Sequence, residues 1–81
     1  MKDTIILDCE YTDTFGGQAN YSWVDRTEIK VHETISDLAL VRKAKRALRL
    51  NGVRGKTSFY GDTIEFKPYN SETIAFFTLR Y

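Results

Sequence analysis

Hydrophobic and polar residues alternate at the start of the chain, between Thr4 and Thr12. The two parities differ in character: Ile5, Leu7, Cys9 and Tyr11 on one side, and Ile6, Asp8, Glu10 and Thr12 on the other. A period of two predicts a half-buried β-strand with Cys9 on its inward face. Turn-forming residues around Gly16-Gly17 predict a hairpin, because glycine takes positive φ angles at low cost. Tyr21 to Val31 is the predicted returning strand.

The inner face of that second strand is interrupted by polar residues. Its aromatic and aliphatic positions share their parity with Asp25 and Thr27. Either the strand bulges near Asp25, or this part of its inner face lies at a wet edge of the sheet. Trp23 is expected to be a buried ring of the core.

A helical pattern follows, and Thr34 and Asp37 stand at capping-box spacing before it, with Ser36 as a rival N-cap. At 100° per residue the apolar side chains form one stripe and most of the basic ones lie opposite: Leu40, Val41, Ala44, Ala47 and Leu48 against Arg42, Lys45, Arg46 and Arg49. Asn51-Gly52 is the expected left-handed stop of this helix.

β-prone residues return after the helix, in Thr57 to Tyr60 and Thr63 to Lys67. Gly61-Asp62 between them is either a tight hairpin turn or a bulge within one strand. The last predicted strand, Thr73 to Tyr81, is apolar on both faces and is therefore expected in the middle of a sheet. The pattern predicts one α+β domain over residues 1–81, in the order ββαββ(β). Its antiparallel sheet of four or five strands carries one amphipathic helix on one face.

Length and composition narrow the setting of this fold. Eighty-one residues with 42% hydrophobic side chains suffice for one small core, and a homodimer is compatible with so limited a core. One cysteine and no signal-peptide pattern predict the reducing cytoplasm. The longest uncharged apolar stretch, Thr73 to Leu79, is far short of the ~20 residues that span a bilayer, so no membrane association is predicted.

Few side chains are suited to catalysis. His32 is the only histidine and Cys9 the only cysteine, so no zinc site, cofactor or nucleophile-base pair is predicted. Asp8, Glu10 and Asp13 lie close together along the first strand and form either a solvated sheet face or a site for a hard cation. The chain is therefore not expected to be an enzyme, and a small metal-dependent enzyme is the second alternative function.

The distribution of charge is the strongest functional signal. Seven basic residues and no acidic residue lie between Leu38 and Gly61, while the other five basic residues stand against all eleven acidic ones. We predict that six of the seven form a partner-binding surface: Arg42, Lys45, Arg46, Arg49, Arg54 and Lys56. This surface is either an ordinary solvated helix face or a site that docks on an acidic protein surface. A nucleic-acid-binding module, with Phe59 or Tyr60 stacking on bases, is the first alternative function.

Two segments carry a resemblance to a family of small proteins encoded by bacteriophages and prophages. These are TDTFGGQANYSWV over residues 12–24 and YGDTIEFKP over residues 60–68. The resemblance implies a phage accessory protein that acts in the bacterial host cell. It further implies that the protein binds a host or phage macromolecule, for example as an anti-CRISPR or other anti-defence inhibitor.

Overall fold

A computed structural model of the chain describes residues 3–80. Five strands and one helix follow in the order ββαβββ: β1 (Thr4–Phe15), β2 (Gln18–His32), α1 (Asp37–Ala47), β3 (Gly55–Tyr60), β4 (Thr63–Pro68) and β5 (Thr73–Arg80). The predicted class, α+β with an antiparallel sheet and one helix, is confirmed. The predicted order ββαββ(β) needs correction, because the chain after the helix forms three distinct strands. Tyr81, the predicted end of the last strand, lies outside the described residues.

All five strands form a single antiparallel sheet in the order β2-β1-β5-β4-β3. The central position of β5 agrees with its apolar character on both faces. Gly61-Asp62 is a hairpin turn, since Tyr60 pairs with Thr63 and Gly61 takes a φ of +59°. This turn separates β3 from β4 and accounts for the third strand after the helix.

The core lies between α1 and one face of the sheet, which we call the helix-covered face. Leu7 and Cys9 from β1, Phe66 from β4 and Phe77 from β5 are at most 1% exposed on it. The helix contributes Leu40, Ala44 and Leu48. We call the opposite side, where Asp8, Glu10 and Arg26 lie, the open face. The predicted inward position of Cys9 is confirmed, and burial and the nearby Asp8 raise the pKa of its thiol to about 12.

The β1–β2 hairpin extends beyond the helix. Eleven helical residues cover about 16 Å, whereas the regularly paired part of β2 from Val24 to His32 alone extends over about 30 Å. The outer part of the hairpin therefore has no helix above it, and Trp23 is 44% exposed. The prediction that Trp23 is buried is wrong for this reason.

A large bulge interrupts β2 at residues 20–23, outside the regular part of the strand that contains Asp25. Pairing is regular from His32 to Val24, and then residues 20–23 lie opposite Asp13 alone. The bulge turns Tyr21 to the open face, where its hydroxyl donates to Glu10 at 2.7 Å. Asp25 itself lies in regular strand and is exposed, as expected for a wet edge.

Candidate cationic docking surface

The helix that carries the predicted site is capped by Ser36 and not by the predicted capping box of Thr34 and Asp37. Ser36 is the N-cap, and its hydroxyl accepts a hydrogen bond from the backbone N–H of Ala39 at 3.2 Å. Thr34 instead lies 2.7 Å from Nδ1 of His32 through its own hydroxyl. Of the two candidate caps, the structure therefore selects Ser36.

The helix ends in a motif that normally uses glycine. Leu50 N–H donates to Lys45 C=O at 2.6 Å and Arg49 N–H to Arg46 C=O at 3.0 Å, which is the Schellman pattern. Arg49 occupies the left-handed position of this motif, with a φ of +61°. The prediction that Asn51-Gly52 provides the left-handed stop is therefore wrong. A side chain at such a φ costs about 1 kcal/mol relative to glycine.

Three exposed arginines define the outer surface of the helix end, and we call them the cationic stripe: Arg42, Arg46 and Arg49. Arg42 and Arg46, four residues apart, lie on one helical face, and Arg49 follows just after the helix in the left-handed position. That face is opposite Leu40, Ala44 and Leu48, which are at most 4% exposed. None of the salt bridges within residues 3–80 involves the stripe.

Two other predicted site residues contact the loop after the helix, and their side chains point in different directions. Arg54 lies in this loop, whereas Lys45 lies in α1 and reaches the loop through its side chain. Arg54 is exposed, and its carbonyl accepts a hydrogen bond from Tyr69 N–H at 2.9 Å. Lys45 points inward, where its Nζ donates to Val53 C=O at 2.7 Å and lies 4.5 Å from the centre of the Phe66 ring. Lys45 therefore fastens the loop to the core and is not part of the exposed stripe.

Lys56 lies on the other side of the molecule. It pairs with Lys67 across β3 and β4, while the neighbouring Thr57 pairs with the core residue Phe66. Because successive side chains of a strand point to opposite faces, Lys56 lies on the open face. The structure thus leaves Arg42, Arg46 and Arg49 exposed at the end of the helix and places Lys56 on the opposite side of the sheet.

The aromatic residues considered for base stacking are exposed, but they are distant from Arg54. Phe59 is 54% and Tyr60 is 61% exposed at the far end of β3. Five or six residues of extended chain separate them from Arg54, a span of about 16–20 Å. Arg54 and these rings therefore do not form one compact site.

Each of the three candidate cation-binding carboxylates already accepts hydrogen bonds from other residues of the chain. Asp8 accepts from Arg80 at 2.9 Å, and Glu10 accepts from Arg26 at 2.8 Å. Asp13 accepts from Asn20 Nδ2 at 2.9 Å and from Ser22 N–H at 3.0 Å, as well as from the Ser22 hydroxyl. Over residues 3–80, no three His, Cys, Asp or Glu side chains are grouped so that they could hold a metal ion.

These hydrogen bonds give Asp13 a structural role that the sequence analysis missed. The donated hydrogen bonds from Ser22 and Asn20 hold the pKa of the Asp13 carboxyl well below its usual range. Asp13 thereby fixes the bulge of residues 20–23. The available signal was the set of short polar residues after the Gly16-Gly17 turn, which commonly hydrogen-bond to nearby backbone.

Lys43 is a further exposed cation that was left out of the predicted site. It lines a groove of about 300 Å³ between the helix and the edge strand β2, together with Ile29, Lys30, Arg46 and Ala47. Its position beside β2 could not be read from the helical period alone.

Comparison with protein-family models, with curated proteins and with solved structures gives no match for this chain. Within residues 3–80 the only helix, α1, is too short to cross a membrane.

Proposed function

We propose that this chain is a non-enzymatic binding protein that docks on an acidic surface of another protein through the cationic stripe. The observation that carries the proposal is the exposure of Arg42, Arg46 and Arg49 along and just after the end of α1, without a carboxylate partner among residues 3–80. Arginines in this state are free to form charge-assisted hydrogen bonds with carboxylates of a partner. Arginine is also enriched among the residues that dominate binding energy at interfaces.

The backbone of Arg49 supports the same proposal. Its positive φ is a position where glycine would relieve strain, and the chain carries an arginine there. A residue that is locally unfavourable for the helix end is well explained when its side chain serves binding.

Docking on protein is favoured over binding to nucleic acid. The stripe covers residues 42 to 49, about 10 Å along the helix axis, and so reaches few phosphates. The exposed rings of Phe59 and Tyr60 lie about 16–20 Å along β3 from Arg54, too far to stack on bases held at that residue. The rest of the chain has more acidic than basic residues, which disfavours general attraction to a polyanion.

The resemblance to phage-encoded proteins gives the proposal its most concrete form. In that setting, the partner is a protein of a host defence system, such as a CRISPR effector, and the stripe occupies an acidic patch on it. Inhibition then follows from covering a surface and requires no chemistry on the part of this chain.

Capture from the bacterial host tests the proposal. We expect the tagged protein to retain a specific host protein, and the Arg42→Ala, Arg49→Ala double variant to lose it. The matched control is Lys56→Ala, Lys67→Ala, which removes the same charge from the open face and should retain the partner. With the purified partner, one arginine should account for more than about 2 kcal/mol of binding.

Three results would count against this function. Retention of the partner by the arginine variant would remove the stripe from the interface. An equal loss of the partner in the lysine control would show that capture depends on net charge and not on the position of the arginines. Capture that is abolished by nuclease, with affinity falling by about one log unit per log of salt for each phosphate contacted, would identify nucleic acid as the partner.

A further inference from the structure

The strand β2 has a neighbour on one side only. It is 15 residues long and lies at the edge of the sheet, beside β1. Its side chains along the edge are open to solvent, with 67% exposure for Arg26 and 62% for Glu28. The other edge strand, β3, has only six residues. A long, regular edge strand is a template for pairing with another strand.

The hydrogen-bonding pattern between β1 and β2 shows which backbone groups of β2 are free to pair with another strand. Glu33 N–H donates to Asp3 C=O at 2.8 Å, so residue 33 points toward β1. Since backbone groups alternate in direction along a strand, the odd-numbered residues of β2 from 25 onward point toward β1. The N–H and C=O groups that point outward belong to Val24, Arg26, Glu28, Lys30 and His32.

We propose that the occupant of this edge is a second copy of the chain, paired antiparallel with its own β2 about a two-fold axis at Thr27. A two-fold interface brings each residue against its counterpart in a register fixed by the axis. With the axis at Thr27, Arg26 of each copy lies opposite Glu28 of the other, and Val24 opposite Lys30. The outward backbone groups match in this register and form about eight main-chain hydrogen bonds.

Charge selects this register among its neighbours. A two-fold axis at Asp25 pairs Asp25 with its own copy, and an axis at Arg26 pairs Arg26 with its own copy. An axis at Glu28 pairs Glu28 with its own copy and also Arg26 with Lys30. An axis at Ile29 brings Asp25 against Glu33. Only the axis at Thr27, among these five, opposes no like charges, and directly opposed like charges destabilise a strand pair.

The groove beside β2 completes the fit. In this register Asp25 of one copy lies opposite Ile29 of the other, on the helix-covered face. Ile29 lines the groove together with Lys43 and Arg46. The Asp25 carboxylate of one copy is thus placed beside two exposed cations of the other, and the same contact occurs twice in the dimer.

Sedimentation and cross-linking test the proposal. We expect the wild-type chain of 9.4 kDa to sediment at twice that mass at concentrations on the order of 100 µM. For cross-linking, Cys9 is first replaced by alanine, because it pairs directly with Thr27 within the chain. In that background Thr27→Cys should form a disulfide-linked dimer in a glutathione buffer, since non-hydrogen-bonded pairs bring the two residues closest. Ile29→Cys, the matched control, should not.

A charge exchange provides the second measurement. No side-chain hydrogen bond or ion pair within residues 3–80 involves Asp25 or Lys43, so changes there remove no such contact from the monomer. Asp25→Lys and Lys43→Asp should each weaken dimerisation by at least about tenfold, and the double variant should recover most of it. Circular dichroism confirms that every variant is folded.

Each outcome bears on the inference. A wild-type chain that is monomeric at about 500 µM overturns it, as does equal cross-linking of the two cysteine variants or a double variant no better than the single ones. These changes leave Arg42 and Arg49 in place. Loss of the dimer with partner capture intact would therefore count against this inference alone, and the converse against the proposed function alone.

Discussion

Phe76 and Phe77 are neighbours on β5, yet they lie in different surroundings. Phe77 is 0% exposed beneath the helix, in contact with the apolar core. Phe76 is only partly buried on the open face, where it pairs with Glu10 on one side and Glu65 on the other. The comparison separates the two means by which this sheet is stabilised. The helix-covered face is stabilised mainly by buried apolar area. The open face is stabilised by hydrogen bonds and ion pairs at the surface, with buried apolar area at Ile74.

The open face has its own buried end, where Thr12 lies opposite Ile74 of β5, which is 3% exposed. Thr12 is 0% exposed, although it has the parity of the open face. Its hydroxyl donates to Trp23 C=O at 2.7 Å and accepts from Tyr21 N–H at 3.1 Å, so the bulge backbone lies against it. Polar contacts therefore order one part of the open face, while the helix orders the other face.

The largest expected effect comes from truncating the two phenylalanines in parallel. Phe77→Ala should lower the free energy of unfolding by about 3–5 kcal/mol, because it leaves a cavity in a closed core. Phe76→Ala removes the same atoms from a partly exposed position and should cost less than half as much. Urea denaturation measures both, and equal losses would show that the open face is as well packed as the covered one.

The hydrogen bonds of Thr12 come next. Thr12→Val keeps the shape but leaves Trp23 C=O and Tyr21 N–H without this partner, at an expected cost of about 1–3 kcal/mol. Amide hydrogen exchange should accelerate in residues 20–23 and remain slow in β4 and β5. The matched control is Thr78→Val, also on the open face, which makes only a long hydroxyl contact of 3.4 Å with Thr63. Similar losses in the two variants would contradict the role given to Thr12.

Acid should weaken the open face before the covered one. The pKa of Asp13 in the folded state is lowered, first by the Ser22 hydroxyl and then by Asn20. Its stabilising contribution is therefore complete above the unfolded pKa of about 4 and is lost as the pH falls toward the folded value. The melting temperature, measured from pH 7 to pH 2.5, should fall less steeply for Asp13→Asn than for wild type. Ser22→Ala should also flatten the profile, and a wild-type profile in both variants would exclude Asp13 as the titrating group.

The smallest change in stability is expected at Arg49, at the end of the helix that covers one face of the sheet. Arg49→Gly relieves the left-handed strain but also frees the unfolded chain, so stability should stay within about 1 kcal/mol of wild type. Arg49→Ala keeps the strain and serves as the control. If Arg49→Gly is strongly destabilising, the side chain supports the helix end, and its place in the docking surface must be reconsidered.

The sequence by itself determined the elements that depend on local chemistry. Alternation predicted β1 with Cys9 inward, and a period of 3.6 predicted the helix with Leu40, Ala44 and Leu48 buried. Both patterns can be read from one segment, because burial on one face follows directly from the geometry of a strand or helix. The exposure of Arg42 and Arg46 follows from the same geometry, whereas Arg49 lies beyond the last helical residue.

Only the tertiary structure decided the features that depend on contacts between distant segments. The short helix leaves Trp23 exposed on a long hairpin, and Asp13 shifts the register of β2 so that Tyr21 faces Glu10. Lys56 lies away from the stripe because it pairs with Lys67, and Lys45 is turned inward by Val53 and Phe66. In each case the side chain's direction is set by a partner far along the chain or across a loop. Periodicity within a segment contains no information about such a partner.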